Sequence, residues 1–207
     1  MKMEDVRELK DVLERVEERI IAAGKVYSAM NFAFWLTVMM VYYVLEGVVN
    51  MRGKASAVYW GGAILLGIPL TIRIWRRLER LCAAFHPGAR RAGRGIATQI
   101  ALAWILGSVI GFFIIPSMAS VGVSPDARFA TGLLSFISIA ILSQWLLTTA
   151  GRGEFEMIPA FLLPALAIPV VWHMESGAII WAGFVIATGF SVTILWYLYS
   201  AFKAIAR

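Results

Sequence analysis

Few residues in this 207-residue chain have the type and spacing to carry chemistry. Glu79, Glu154 and Glu156 fall near one set of expected helix mouths, and Glu46 lies about a turn inside the other. Carboxylates so placed could hold a divalent metal against a lipid substrate or take part in ion coupling, since an ionisable group at membrane depth is costly to keep without a use. Three carboxylates are thin support for an enzyme, and Glu46 reads first as an interface residue near Arg52 or Lys54. The two histidines, His86 and His173, are expected on opposite sides of the membrane, where they cannot share a haem or a zinc. His86 before Pro87-Gly88 reads as a helix-end residue, and His173 with Glu175 makes only a weak pair. There is no H-E-x-x-H, no G-x-S-x-G, no phosphate-binding loop and no acidic cluster. Ser108, Ser117 and Ser143 are lone hydroxyls, expected to bond back to their own helix or across to a neighbour. With Cys82 the only cysteine, no internal disulfide or CxxC pair can form. No catalytic residue, cofactor or metal is expected.

Two other stretches are better candidates for a function. Thr131, Ser135 and Ser138 form one polar stripe, with Gln144 further along, and could line a cavity; small-residue packing is the plainer reading. Pro159, Pro164 and Pro169 recur every five residues within one apolar run. Each interior proline removes a donor and crowds the carbonyl one turn back, so this segment is expected to be kinked or broken. A broken span exposes backbone groups, which is tolerated at membrane depth only beside protein or a wet cavity.

The elements that must position these residues are membrane helices. The chain is 60% hydrophobic, with a mean hydropathy of +0.76, against roughly 45–50% apolar residues in soluble domains. Its apolar runs reach the ~20 residues needed to cross ~30 Å of hydrocarbon. The expected fold is all-α: six transmembrane helices over about 28–48, 57–75, 96–118, 128–150, 157–172 and 178–201, forming a domain over 27–207. Ahead of it, residues 1–26 read as an amphipathic cytoplasmic helix. Val6, Leu9, Leu13, Val16 and Ile20 are spaced three, four, three and four, a short coiled-coil stripe. This helix is expected to lie on the membrane surface or to bind a partner. The alternating charges of the first 25 residues are unlike a signal peptide. Few Asn, Gln and Cys beside many Arg and Glu is weakly consistent with a thermophilic source.

Small residues set four apart predict close helix packing: Ala103, Gly107 and Gly111 on the third span, and Gly183, Ala187 and Ser191 on the sixth. Gly61, Gly62 and Gly67 do the same for the second. That second helix is expected to run past its apolar segment, through Leu78, Leu81 or Cys82, and Phe85, and to stop at Pro87-Gly88. Trp196, Tyr197 and Tyr199 read as interface anchors.

Orientation follows from charge. Arg73, Arg76, Arg77, Arg80, Arg90, Arg91 and Arg94 crowd the connection between spans two and three, and such a block is retained in the cytoplasm. With both termini on that side, all 19 lysines and arginines except Arg52, Lys54 and Arg128 are cytoplasmic. The net charge of +6 is explained by this bias, and no nucleic-acid partner is expected. The basic block, with Phe85, is a candidate contact for anionic lipid headgroups or a cytoplasmic protein.

An amphipathic helix ahead of the first span, a helical basic loop and a broken fifth span form a layout similar to the membrane subunits of ABC-2-type exporters. No residue motif carries that likeness. It implies a motor-less, permease-type transport subunit that dimerises and meets a separate ATPase through Arg77, Arg80 and Phe85. The alternative is a non-enzymatic module binding lipid or a membrane partner, of the size of the Insig family, with an apolar ligand held between helices. A lipid-modifying enzyme comes third. Membrane lipids are expected partners in every case, in the plasma membrane of a prokaryote.

Overall fold

The structure, a computed structural model, describes residues 3–49, 53–85, 89–118, 123–149 and 154–206. Within these ranges, 3–7, 9, 11, 47, 75, 77–85, 89–94, 96–97 and 148–149 are described as backbone only. All regular structure among the described residues is helical, and six helices are long and apolar enough to cross a membrane.

Helix α1 spans Met3–Val49 and α2 spans Lys54–Phe85. Helix α3 covers Ala89–Val109 and runs on through a π-helical turn at Ile110–Ile114 to a last turn at Ile115–Ser117. Helix α4 spans Pro125–Thr149; a 3-10 turn at Phe155–Met157 leads into α5 at Ile158–Trp172, and α6 covers Ala178–Ile205. The starts are encoded locally. Ser124 Oγ accepts the Ala127 N–H at 3.1 Å and Pro125 occupies the first helical position, where a missing N–H costs nothing. Gly177, with φ of 72°, makes the left-handed turn into α6 that a side chain would resist.

Helices α4, α5 and α6 pack against one another as a central triangle; α1 lies on α6, α2 on α1, and α3 on α4. Helices consecutive in the chain run antiparallel, as do α1 and α6, while α4 and α6 run parallel. Along the α1–α6 seam Lys25 meets Tyr197, Phe32 meets Phe190 and Tyr43 covers Gly183, so both termini lie at one end, here the terminal end. The seam on α1 is formed by Ala22, Lys25, Ala29, Phe32, Leu36, Met39 and Tyr43, alternating three and four apart as in a coiled coil. Buried Ala182, Ile186, Phe190, Thr193, Tyr197 and Ala201 answer it from α6.

Polar clasps fasten the outer helices. Tyr59 donates to the Val38 carbonyl at 2.6 Å, Thr71 to Asn31 Oδ1 at 3.1 Å, and Tyr42 pairs with Ser56 at 2.9 Å, all joining α2 to α1. Trp104 Nε1 donates to Gln144 Oε1 at 2.9 Å, joining α3 to α4. Ala103, Gly107 and Gly111 are buried, and the two glycines let α4 approach to backbone contact. The π turn follows from Pro116, which has no N–H to give and crowds the carbonyl of Phe112; the ladder widens, with Ile115 N–H reaching back to the Ile110 carbonyl.

Five expectations change, the first being the close approach expected at Gly61 and Gly62, where nothing lies within 4 Å and only Gly67 is packed, against Phe34 and Trp35. The boundary at residue 26 is not a break, because α1 continues through it as one helix about 70 Å long at 1.5 Å per residue. Of the kink or break expected for the fifth span, the break is absent: α5 is continuous across Pro164 and Pro169. Pro159 sits in the first turn, where its N–H has no helical partner to lose, and Ala160, Pro164, Ala167 and Val171 form a buried stripe that holds the rest in register. Tyr197 is a core residue rather than an interface anchor, fully buried between its exposed neighbours Trp196 and Tyr199. On α6 the packing stripe carries Gly183 buried and Ala187 half-buried, but Ser191 is exposed and Gly189 meets the Pro159 carbonyl instead.

Candidate functional site

The most concentrated polar chemistry lies at the terminal end, where four segments meet. Helix α1 presents Lys25 and, one turn on, Ser28. The turn before α5 brings Glu154 and Glu156, α6 brings Tyr197 and Ser200, and α4 brings Trp145. A lysine at a seam position faces apolar neighbours on both sides, so its charge must be met by a partner. That partner is Glu156: Lys25 Nζ stands 3.1 Å from each carboxylate oxygen, and the two side chains are only 19% and 9% exposed. Ser200 also hydrogen-bonds Glu156.

Glu154 is held separately. The Tyr197 hydroxyl donates to its Oε2 at 2.6 Å, and Trp145 Nε1 donates to its backbone carbonyl at 3.1 Å. The Tyr197 ring joins the two halves, because the Lys25 ammonium lies 5.4 Å from its centroid, a cation–π contact. Phe32 stacks on the same ring at 6.0 Å. Both carboxylates are thus already engaged by donors of this chain. The arrangement is a fastening between α1, α4, α6 and the turn into α5. Among the described residues no three His, Cys, Asp or Glu side chains converge.

The residues singled out from the sequence are dispersed. Arg73 and Arg76 are exposed on α2; the side chains of Arg77, Arg80, Phe85, Arg90, Arg91 and Arg94, and all of His86, lie outside the described residues. Thr131, Ser135 and Ser138 are buried in the central triangle. Ser138 bonds back to the Leu134 carbonyl at 2.7 Å, whereas the Thr131 hydroxyl, like that of Thr193, has no partner. Pro164 is buried, Pro159 half-buried and Pro169 exposed, while Gln144 is spent on Trp104. Ser108 and Ser117 bond to the carbonyls of Trp104 and Ile114 in their own helices. Glu46 makes no ion pair with Lys54, and its Oε2 is shut off from solvent without a partner. His173 and Glu175 are exposed in the turn after α5.

Lys25 was the residue the sequence hid, counted only among the topology-setting charges. The signal was its place in the three-and-four spacing between Ala22 and Ala29.

Set beside known proteins, the chain finds no counterpart: no family model, no curated protein and no solved structure matches it.

Proposed function

We propose that this chain is a non-enzymatic membrane subunit that couples a cytoplasmic partner to a transport pathway, with both termini in the cytoplasm of a prokaryotic cell. The observation that carries the reading is the continuity of α1. About 40 Å of this helix extends beyond the ~30 Å that a bilayer core can take, and the Lys25–Glu156 pair pins it to the bundle close to where it leaves the membrane. A load applied to residues 3–24 passes directly to α6 and to the turn into α5.

The apolar stripe of this projection supports a protein partner over the membrane surface. At 100° per residue, Leu13, Val16 and Ile20 point roughly opposite to the face of Ala22, Lys25 and Ala29 that packs on α6. Leu13 is 54% exposed. A helix lying flat on the bilayer would need a bend near residue 26, where α1 has no break. The positive-inside distribution of arginine supports the orientation, and the engagement of Glu154 and Glu156 supports the non-enzymatic reading.

The test is a photo-crosslinking amino acid at positions 13 and 16 of the full-length chain in its own membranes. Adducts to a nucleotide-hydrolysing protein, with ATP hydrolysis stimulated when the two are co-reconstituted, are expected. Adducts only to lipid sink the proposal.

The second reading, a lipid- or partner-binding module, rests on α2. Its main packing is on α1, and Val58, Leu65 and Leu66 stand about three-quarters exposed. Self-association through that face, as a dimer, is the form this reading takes.

A further inference from the structure

At the end opposite the termini, Arg128 sits in the first turn of α4 with no hydrogen bond or ion pair to its guanidinium among the described residues. Its Nε is fully shut off from solvent and has no acceptor. Asp126 is exposed two residues away and does not pair with it. Among the described residues nothing accepts from Nε, and a cation set against apolar walls without a counter-charge is costly. It borders a depression of about 320 Å³ whose other walls are Phe112, Pro116, Pro125 and Phe129. No carboxylate or carboxamide side chain stands among these residues.

The walls are set by the local fold. The π turn carries Phe112, whose ring lies 5.1 Å from Phe136 and 6.4 Å from Phe129. Below the depression, Leu102, Ile105 and Val109 share one face of α3 at helical spacing, and all three are exposed. A cation at the head of an apolar track is the complement of an anionic headgroup with an acyl chain.

We propose that Arg128 and this depression bind the phosphate of a membrane phospholipid, with one acyl chain lying along Leu102, Ile105 and Val109. The guanidinium suits phosphate because its planar fork donates two parallel hydrogen bonds; with Nε closed off by the chain's own atoms, the two Nη nitrogens are the donors that meet it. The inference is independent of the transport reading and holds or fails without it.

The experiment is native mass spectrometry of the full-length chain in detergent, titrated with palmitoyl-oleoyl-phosphatidylglycerol. The variants are Arg128→Gln, Arg128→Lys and Lys54→Gln, the last an exposed cation at the same end. Each is first shown to elute and unfold like the parent. The first lipid is expected to bind at least tenfold more weakly to Arg128→Gln, with partial recovery in Arg128→Lys and no change in Lys54→Gln. Diacylglycerol with the same chains, lacking phosphate, should not compete. Equal binding by Arg128→Gln, or an equal loss in Lys54→Gln, overturns the site. Displacement by glycerol phosphate as effective as by the lipid overturns the lipid assignment in favour of a soluble phosphate ester. If Arg128→Gln does not fold, loss of the first lipid in Phe112→Ala decides the matter in the same way.

Discussion

Gly111 and Gly132 meet backbone to backbone. A methyl group on Gly132 would come within 2.6 Å of the Gly111 carbonyl oxygen, and one on Gly111 within 2.7 Å of the Gly132 carbonyl oxygen and 2.6 Å of the Phe136 nitrogen. No side-chain rotation relieves a clash with backbone. Gly111→Ala should therefore force α3 away from α4 and cost about 1–3 kcal/mol. Gly61→Ala and Gly62→Ala on α2, where nothing lies within 4 Å, should be neutral or gain up to ~1 kcal/mol from helix propensity. Unfolding titrations in mixed micelles separate the two groups; equal effects would refute the packing assigned to α3.

Removing one member of the Lys25–Glu156 pair leaves the other charge buried. Lys25→Met and Glu156→Gln should each destabilise by about 3 kcal/mol, and the double variant by about 3–5 kcal/mol rather than by their sum, a coupling of about 1–3 kcal/mol. A double variant whose loss equals the sum of the singles would show that the pair contributes nothing as a pair.

Tyr197→Phe removes one hydroxyl from a buried hydrogen bond to a carboxylate and should cost about 1.5–3 kcal/mol. Tyr199→Phe, on the exposed face two residues away, should change stability by no more than ~0.5 kcal/mol. The comparison uses thermal unfolding in one detergent, and similar shifts for both would return Tyr197 to the role of a surface anchor.

The hydroxyls of Thr131 and Thr193 are buried without partners. Valine is close in shape and carries no polar atom to desolvate, so Thr131→Val and Thr193→Val should raise stability by about 0.5–2 kcal/mol. If either variant instead loses transport while remaining stable, its hydroxyl faces a substrate path rather than the core.

The outline was legible because it depends on length and hydropathy alone. Six apolar runs of membrane-crossing length give six helices, and the spacing from Leu78 to Phe85 falls within α2, while the stop expected at Pro87-Gly88 lies outside the described residues. Pairings across the chain were not legible in this way. Lys25 and Glu156 are 131 residues apart, and nothing at either position announces the other. Dividing the chain at residue 26 also cut the seam of Ala22, Lys25, Ala29 and Phe32 in two, so that a buried lysine looked like one more surface charge. Tyr197 was misread because Trp196 and Tyr199 beside it do face outward; at 100° per residue one aromatic of such a trio points inward. The prolines of α5 do not break it. A spacing of five turns each to a different face, so no one side of α5 loses all its hydrogen bonds.

Helix α5 is also the shortest of the six. With its 3-10 turn it offers 18 residues, about 28 Å of length, against ~30 Å of hydrocarbon, whereas α6 with 28 residues offers about 42 Å. The longer helix can tilt to fit, but α5 has no length to spare and must stand nearly upright. In a thicker membrane the first charged group expected to be drawn toward hydrocarbon is Glu156 at its foot, and its pairing with Lys25 would soften the cost of that move.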